Sequence, residues 1–468
     1  MLFTEFRFLL LLTGALLVYW SLRSNGLRKG WLVLCSYAFY AAWKWHFLGL
    51  ILFSTLLDYA VARMIQRSTS RLGRRMWLGL SLLGNLGMLG AFKYYGFFAS
   101  SAQEFLGWLG LSASLPTLQV LLPVGISFYT FQTLSYTIDV YRERMPAQKS
   151  LLDIALFVSF FPQLVAGPIV RAADFLPQLG AARSFRSVHL NAALVLFVVG
   201  FVKKACVSDS LAPAVDALFA DPGQFSQVAA VLGAVGYAVQ IYCDFSGYSD
   251  MAIATAAFFG YGLCLNFSFP YFSTNITDFW RRWHISLSSW LRDYVYISLG
   301  GNRASEWKTH RNLLLTMLLG GLWHGAAWNF VLWGGVHGVA LSVHRLWQRL
   351  ASPGSSVAGQ LAGWLSTLAF VVAALVLFRA GDLGTAAAVF RSMAGVGGGG
   401  GGAESLVPST GVLVAGFFAA HFAAYRLRSL AFLDTSPRWS VAVGCGVVLA
   451  VAYALSPIEH VPFIYFQF

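Results

Sequence analysis

The sequence predicts an all-α protein that crosses a bilayer many times, with about a dozen transmembrane or re-entrant helices around a central tunnel. Three observations carry that prediction. Hydrophobic residues make up 57% of the chain and charged residues only 11%, against roughly a quarter charged in soluble domains. Apolar runs long enough to span a core of about 30 Å recur from end to end. The basic residues fall in short clusters between those runs, as the positive-inside rule produces in cytoplasmic loops.

The first apolar run, residues 8–22, is followed by Arg23, Arg28 and Lys29 rather than preceded by basic residues. It reads as a retained first span rather than a cleaved leader. Runs at 31–45, 48–62 and 76–92 come next, with Arg63, Arg67, Arg71, Arg74 and Arg75 as the basic cluster between them. Runs at 151–170, 189–202, 226–242 and 251–267 follow, interleaved with Arg142, Arg144 and Lys149, then Arg171, Arg183 and Arg186, then Lys203 and Lys204. The last runs are 313–341, 361–378, 411–425 and 440–455. Segment 209–222 carries Asp209, Asp216 and Asp221 without a base and is placed outside the cell. Six consecutive glycines, 397–402, exclude a helix and read as a flexible non-cytoplasmic connector. The apolar stretches at 121–125 and 160–168 are interrupted by Pro123, Gly125, Pro162, Gly167 and Pro168. Such breaks suit re-entrant backbone lining a wet cavity, or ordinary proline kinks. No internal repeat or soluble domain is evident, and the whole of 1–468 reads as one domain.

The net charge is +13. Its alternation with apolar runs points to a cytoplasmic membrane face rather than to nucleic acid, and such a face attracts anionic lipids and anionic donors. The five cysteines are scattered, mostly within apolar stretches, and read as small buried hydrophobes. No His/carboxylate spacing suits a metal, no Gly-x-Ser-x-Gly elbow is present and no phosphate-cradling Gly-Lys-Ser/Thr loop occurs.

Ionisable residues inside a membrane domain are functional candidates because burying them is costly. They concentrate between Tyr242 and His344. In the first cluster, 242–250, Asp244 is a candidate for orienting a histidine or a hydroxyl substrate. Asp250 reads as a helix cap in a polar turn. In the second, 278–293, Trp280, Trp283, Leu287, Trp290, Leu291 and Tyr294 recur at helical spacing. A basic, Trp-rich amphipathic helix of this kind is expected to lie at the membrane interface, carrying Arg281, Arg282 and His284. In the third, 318–329, His324 stands among Gly320, Gly321 and Gly325, which allow another backbone or a substrate chain to approach. A buried imidazole flanked by Trp323 is a candidate proton acceptor. On one continuous helix His337 would fall on nearly the opposite face some 20 Å along, so it reads as structural.

These segments resemble those of the membrane-bound O-acyltransferase family. The resemblance rests on Leu-Pro-Val-Gly-Ile-Ser-Phe-Tyr at 122–129, Gln-Leu-Val-Ala-Gly-Pro-Ile at 163–169, and Tyr-Cys-Asp-Phe-Ser-Gly-Tyr-Ser-Asp-Met-Ala at 242–252. It also rests on Phe-Trp-Arg-Arg-Trp-His-Ile-Ser-Leu at 279–287 and Gly-Leu-Trp-His-Gly at 321–325. Segment 293–303 and the closing 461–468 are most similar to the bacterial branch that serves alginate O-acetylation. That branch commonly has Pro in the Tyr-Ile-Pro-Leu-Gly-Gly motif where this chain has Ser298. The resemblance implies that His324 is the essential histidine and His284 the second one. It also implies a tunnel entered by the acyl donor from the cytoplasm.

The expected activity is transfer of an acyl group, most simply acetyl from acetyl-CoA, to a hydroxyl of an exported polysaccharide or a periplasmic relay partner. No tightly bound cofactor or metal is expected. His324 and His284 are the expected catalytic residues. Arg281, Arg303, Trp283, Trp323 and Asp244 are candidate substrate-binding residues. The expected location is the inner membrane. A transporter built on the same broken helices and a scaffold with an inert site are the competing readings, and cell-wall polymers compete as acceptors.

Overall fold

The computed structural model describes residues 2–111, 114–116, 121–165, 167–303, 305–350, 356–396, 407–427, 433, 436–457 and 461–466. Helices account for the regular structure, and no strand occurs among the described residues. The glycine run 397–402 and Ala166 lie outside them. Six helical stretches are long and apolar enough to cross a membrane: Asn25–Arg67, Leu190–Ala220, Gln227–Phe258, Val357–Arg379, Val407–Leu427 and Arg438–Leu455. The shorter apolar helix Phe6–Ser21 precedes them. The chain is a multi-pass, all-α membrane protein.

One of these stretches, Asn25–Arg67, holds two 20-residue helices joined at Trp45–Phe47, and further helices carry buried polar faces. Helix Ile126–Tyr141 shows this best. Its buried residues include Thr130, Thr133 and Thr137. Thr137 donates to the carboxylate of Asp58 at 2.9 Å, and Asn85 Nδ2 donates to its other oxygen at 2.8 Å. Ser81 also donates to Asp58, and Ser54 to Asn85 Oδ1. Polar groups at such depth require internal partners, and this network supplies them.

The chain divides into two compact units, Met1–His189 with Ala252–Cys264, and Leu190–Met251 with Leu265–Phe468. In the first, the sequence breaks are real breaks. Gly125 has φ +76° and caps the helix beginning at Ile126, and a side chain there would meet the Leu164 carbonyl oxygen at 2.7 Å. Helix Leu151–Ser159 stops and a separate turn, Phe161–Leu164, begins with Pro162 in its first positions. These are interrupted helices rather than kinks in a continuous one.

In the second unit three expectations change. Residues 242–250 are not a turn. They lie inside one helix, Gln227–Phe258. Asp250 therefore caps nothing, and it accepts from Lys203 at 2.7 Å. Lys203 and Lys204 are not loop cations. They sit in a π-helical turn, Val202–Ser208, which joins helices Leu190–Phe201 and Asp209–Ala220 into one stretch. Asp209 begins the latter helix and is buried, so it does not belong to an exposed outside loop. The crossing of these two stretches is made by glycines. A Cβ on Gly200 would come within 2.6 Å of the Gly247 carbonyl oxygen, and one on Gly247 within 2.6 Å of that of Gly200. Backbone meets backbone there, and the charged side chains beside the crossing come into reach of each other.

The third change concerns run 313–341. It is a hairpin of two helices, Glu306–His324 and Trp328–Leu350, reversing at Gly325. A side chain on Gly321 would overlap the Phe330 carbonyl oxygen, and one on Gly334 that of Met317. The glycines thus serve close helix–helix contact. Asn329, just past the reversal, donates to the Leu377 and Ala380 carbonyls at 3.3 and 2.6 Å. That ties the hairpin tip to the end of helix Val357–Arg379.

Candidate active site

His284 occupies a break rather than a continuous amphipathic helix. Helix Ile276–Arg282 ends, Trp283 is extended, and His284 takes a left-handed conformation with φ +43° before helix Ile285–Trp290 starts. Segment 278–293 is therefore not one interfacial helix, and its histidine is fully buried. A non-glycine residue in that region stores strain that its surroundings must hold. The surroundings are identifiable. Ser268 N–H donates to the Arg282 carbonyl and Ile285 N–H to the Asn266 carbonyl, both at 2.9 Å. The side-chain oxygen of Asn266 accepts from Ser286 Oγ at 2.9 Å and from its N–H at 3.3 Å. Asn266 in turn donates to Ser249 on the long helix at 3.2 Å. Segment 266–268 thus holds both sides of the break.

His324 is the last residue of its helix and is 3% exposed. Its ring centroid is 6.2 Å from that of His284, with the planes at 68°. Trp323 stands 5.7 Å from His284 and 5.0 Å from His324. Trp333, Phe378 and Tyr465 complete the surroundings of His324 at 5.1, 5.2 and 5.5 Å. Phe245 lies against both His284 and Tyr465, at 4.6 and 4.8 Å. Two buried imidazoles thus share an aromatic chamber, in the sense of a shell of packed rings. His284 lies outside the six membrane stretches, and burial pushes its pKa down to about 3, which keeps it neutral. Neutral imidazole can accept a proton at one nitrogen while offering the other as a donor.

Of the expected residues, the structure brings His284, His324 and Trp323 together. Trp283 sits one layer away, stacked on Phe279 at 5.5 Å and edge-on to Phe267 at 5.1 Å. Arg281 and Arg303 are exposed and show no contact with either histidine ring. Arg282 pairs with Asp278 at 3.0 Å. Asp244 is turned to Lys204 at 2.6 Å and to the Ile464 N–H at 2.8 Å, rather than to a histidine. His337 is not remote. It lies one turn from Trp333 on helix Trp328–Leu350, at 4.6 Å from the ring that also touches His324, and Trp280 Nε1 donates to it at 3.3 Å. It packs behind Trp333, and the continuous-helix argument that placed it on a remote face does not apply to the hairpin. Sequence reasoning missed Asn266, Trp333, Phe378 and Tyr465 as neighbours of the histidines.

Residues 143–378, half of the chain, match the model of MBOAT, the membrane-bound O-acyltransferase family. The chain belongs to the membrane-bound O-acyltransferase family. Both histidines, the hairpin tip and Asn266 fall within the matched region. The chain is 42% identical over 396 residues to a probable alginate O-acetylase of Azotobacter vinelandii, covering 84% of this chain and 78% of that protein. It is 40% identical over 396 residues to a peptidoglycan O-acetyltransferase of Helicobacter pylori, covering 79% and 74%. A teichoic acid D-alanyltransferase of Streptococcus thermophilus is 28% identical over 239 residues, covering 48% of this chain and 57% of that protein. As a member of the O-acyltransferase family the protein is an acyl-transferring enzyme.

Proposed function

We propose that this O-acyltransferase moves an acetyl group from a cytoplasmic thioester, acetyl-CoA in the simplest case, to a hydroxyl of an exported polysaccharide or cell-wall polymer. A periplasmic relay protein is the alternative first acceptor. The observation that carries the reading is the pair of buried imidazoles, His284 and His324, 6.2 Å apart in one aromatic chamber. The relatives support the class of acceptor, since their names specify alginate and peptidoglycan O-acetylation.

In this reading His324 takes the acceptor's hydroxyl proton as its oxygen attacks the thioester carbonyl carbon. The carbon–sulfur bond then breaks, and the imidazolium returns the proton to the leaving thiolate. General-base assistance of this kind contributes about 10²–10⁴-fold. His284, neutral and held rigid by its strained backbone, orients the donor carbonyl or the acceptor hydroxyl. The aromatic walls exclude water, which otherwise competes for the thioester. Trp323 packs beside both imidazoles and contributes to binding the substrate next to them. Arg281 and Arg303, exposed, meet the anionic part of the donor at the entrance. The protein acts in the bacterial inner membrane with no tightly bound cofactor.

The test is complementation. Wild type and His324→Ala are expressed at equal membrane levels in a deletion strain, and O-acetyl groups on the exported polymer are quantified. Loss of acetylation with the folded variant present supports the assignment. Full acetylation in the variant sinks it and moves the scaffold and transport readings forward.

A further inference from the structure

We propose that Lys204, Asp209 and Asp244 form a buried ionic latch that holds segment 461–465 as a wall of the reaction chamber, making Lys204 and Asp244 positioning residues for His324. The inference rests on the acyl-transfer reading above.

The latch is fully enclosed, with side-chain exposures of 1% for Lys204, 5% for Asp209 and 2% for Asp244. An ammonium has three N–H donors. Lys204 donates to Asp209 Oδ1 at 2.7 Å and to the Val461 carbonyl at 3.0 Å, and forms an ion pair with Asp244 Oδ1 at 2.6 Å. Asp244 Oδ2 accepts from the Ile464 N–H at 2.8 Å. The segment therefore provides one backbone acceptor to the cation and one backbone donor to the anion. Without it, a lysine N–H and a carboxylate oxygen would be unsatisfied at membrane depth, where each such group costs several kcal/mol. Latch and segment complete each other.

The segment then delivers side chains to the chamber. Phe463 packs on the rings of Tyr248 at 4.7 Å and Phe245 at 5.6 Å. Tyr465 meets Phe245 at 4.8 Å and His324 at 5.5 Å. Two residues separate the Val461 carbonyl from the Ile464 N–H, so both anchor points fix this stretch at short range. Lys203 gives an internal comparison. It pairs with Asp250 at 2.7 Å in the same π turn but has no bond to the segment. If the charges only stapled helices, one such pair would serve as well as the other. Among the described charged residues, Lys204 and Asp244 bond to the segment beside His324.

The experiment uses the full-length protein in nanodiscs. Amide hydrogen exchange is read for peptides covering 461–466, and acetyl transfer and free acetate release are measured from acetyl-CoA. Variants are Asp244→Asn, Lys204→Met, Ile464→Pro, which removes the anchoring N–H, and Lys203→Met as comparison. The expected result is exchange about tenfold faster or more in the first three variants, with Lys203→Met exchanging like wild type. Transfer falls about 10²-fold through kcat, as for a misplaced reacting group, while thioester hydrolysis to free acetate rises. Unchanged exchange overturns the latch whatever the substrate is. Faster exchange with full transfer overturns the positioning role. Asp244→Asn and Ile464→Pro act at separate points of the latch, so a folding failure of one leaves the other as the test. If wild type transfers no acetyl while exchange responds as expected, the donor or acceptor proposed above is wrong and the latch itself stands.

Discussion

The rings of His284 and His324 stand 6.2 Å apart at 68° to each other, although forty positions separate them in sequence. Each occupies the end of an element. His284 marks the break between two short helices, and His324 the reversal of a helical hairpin. Both side chains lie within the shell of aromatic rings packed at these ends. The chamber forms there.

Removing His324, the proposed proton acceptor, is expected to abolish transfer without unfolding the protein. His324→Ala should lower transfer about 10²–10⁴-fold while its elution profile and melting temperature stay close to wild type. His324→Gln should do the same, since it keeps polarity and loses basicity. Membrane-fraction assays with an acetyl thioester read both.

At His284 chemistry and backbone can be separated. Asparagine tolerates the left-handed region and valine does not. His284→Asn should therefore keep thermal stability and lose transfer. His284→Val should lose both, with a stability cost of about 1–3 kcal/mol from the strained conformation. Equal melting temperatures for the two variants would remove the role assigned to the φ of +43°.

The hairpin depends on contacts that no side chain can share. Gly334→Ala would drive a methyl into the Met317 carbonyl, and Gly321→Ala one into that of Phe330. Each should cost about 1–3 kcal/mol by overpacking and reduce transfer by displacing His324. Gly416→Ala is the comparison, because a side chain there meets nothing within 4 Å and should be silent.

Acid should weaken the fold through His284. Its folded pKa lies near 3, below the ordinary 6.5. The unfolded chain therefore binds a proton that the folded chain refuses, and stability declines as pH drops below 6.5 toward 3. His284→Asn should flatten part of that decline. Melting temperatures between pH 7.5 and 5 in nanodiscs measure it, and an identical slope in the variant would show that another group sets it.

Much of the fold was legible because membrane solubility is a bulk property. The glycines, depth and tryptophan around His324, and the Trp-His pair at 283–284, marked both imidazoles. What stayed hidden was long-range. Residues 242–250 contain Ser, Gly and Asp, which locally favour turns, yet tertiary packing holds them helical and uses Gly247 for a helix crossing. Lys204 looked like a loop cation because its partner Asp244 and the Val461 carbonyl are 40 and 257 positions away. Asn266 and Tyr465 sit in segments without periodicity, so only the folded chain shows what they touch. The hairpin reads as a single run in sequence because Gly-Ala-Ala at 325–327 is apolar, although it reverses the chain.

The glycine crossing of Gly200 and Gly247 bears on how the enzyme meets bilayers of different thickness. Helices that touch through their backbones have no side-chain cushion in which to slide, so the register between Lys204 and Asp244 is fixed. The outlying helices differ. Only 11% of the apolar window of Arg438–Leu455 and 17% of that of Val407–Leu427 are buried, against 78% for Gln227–Phe258. Thinner or thicker lipid is met by tilting of such rim helices, at fractions of a kcal/mol per Å of mismatch. The register of Lys204 and Asp244 beside the Gly200–Gly247 contact is insulated from that adjustment.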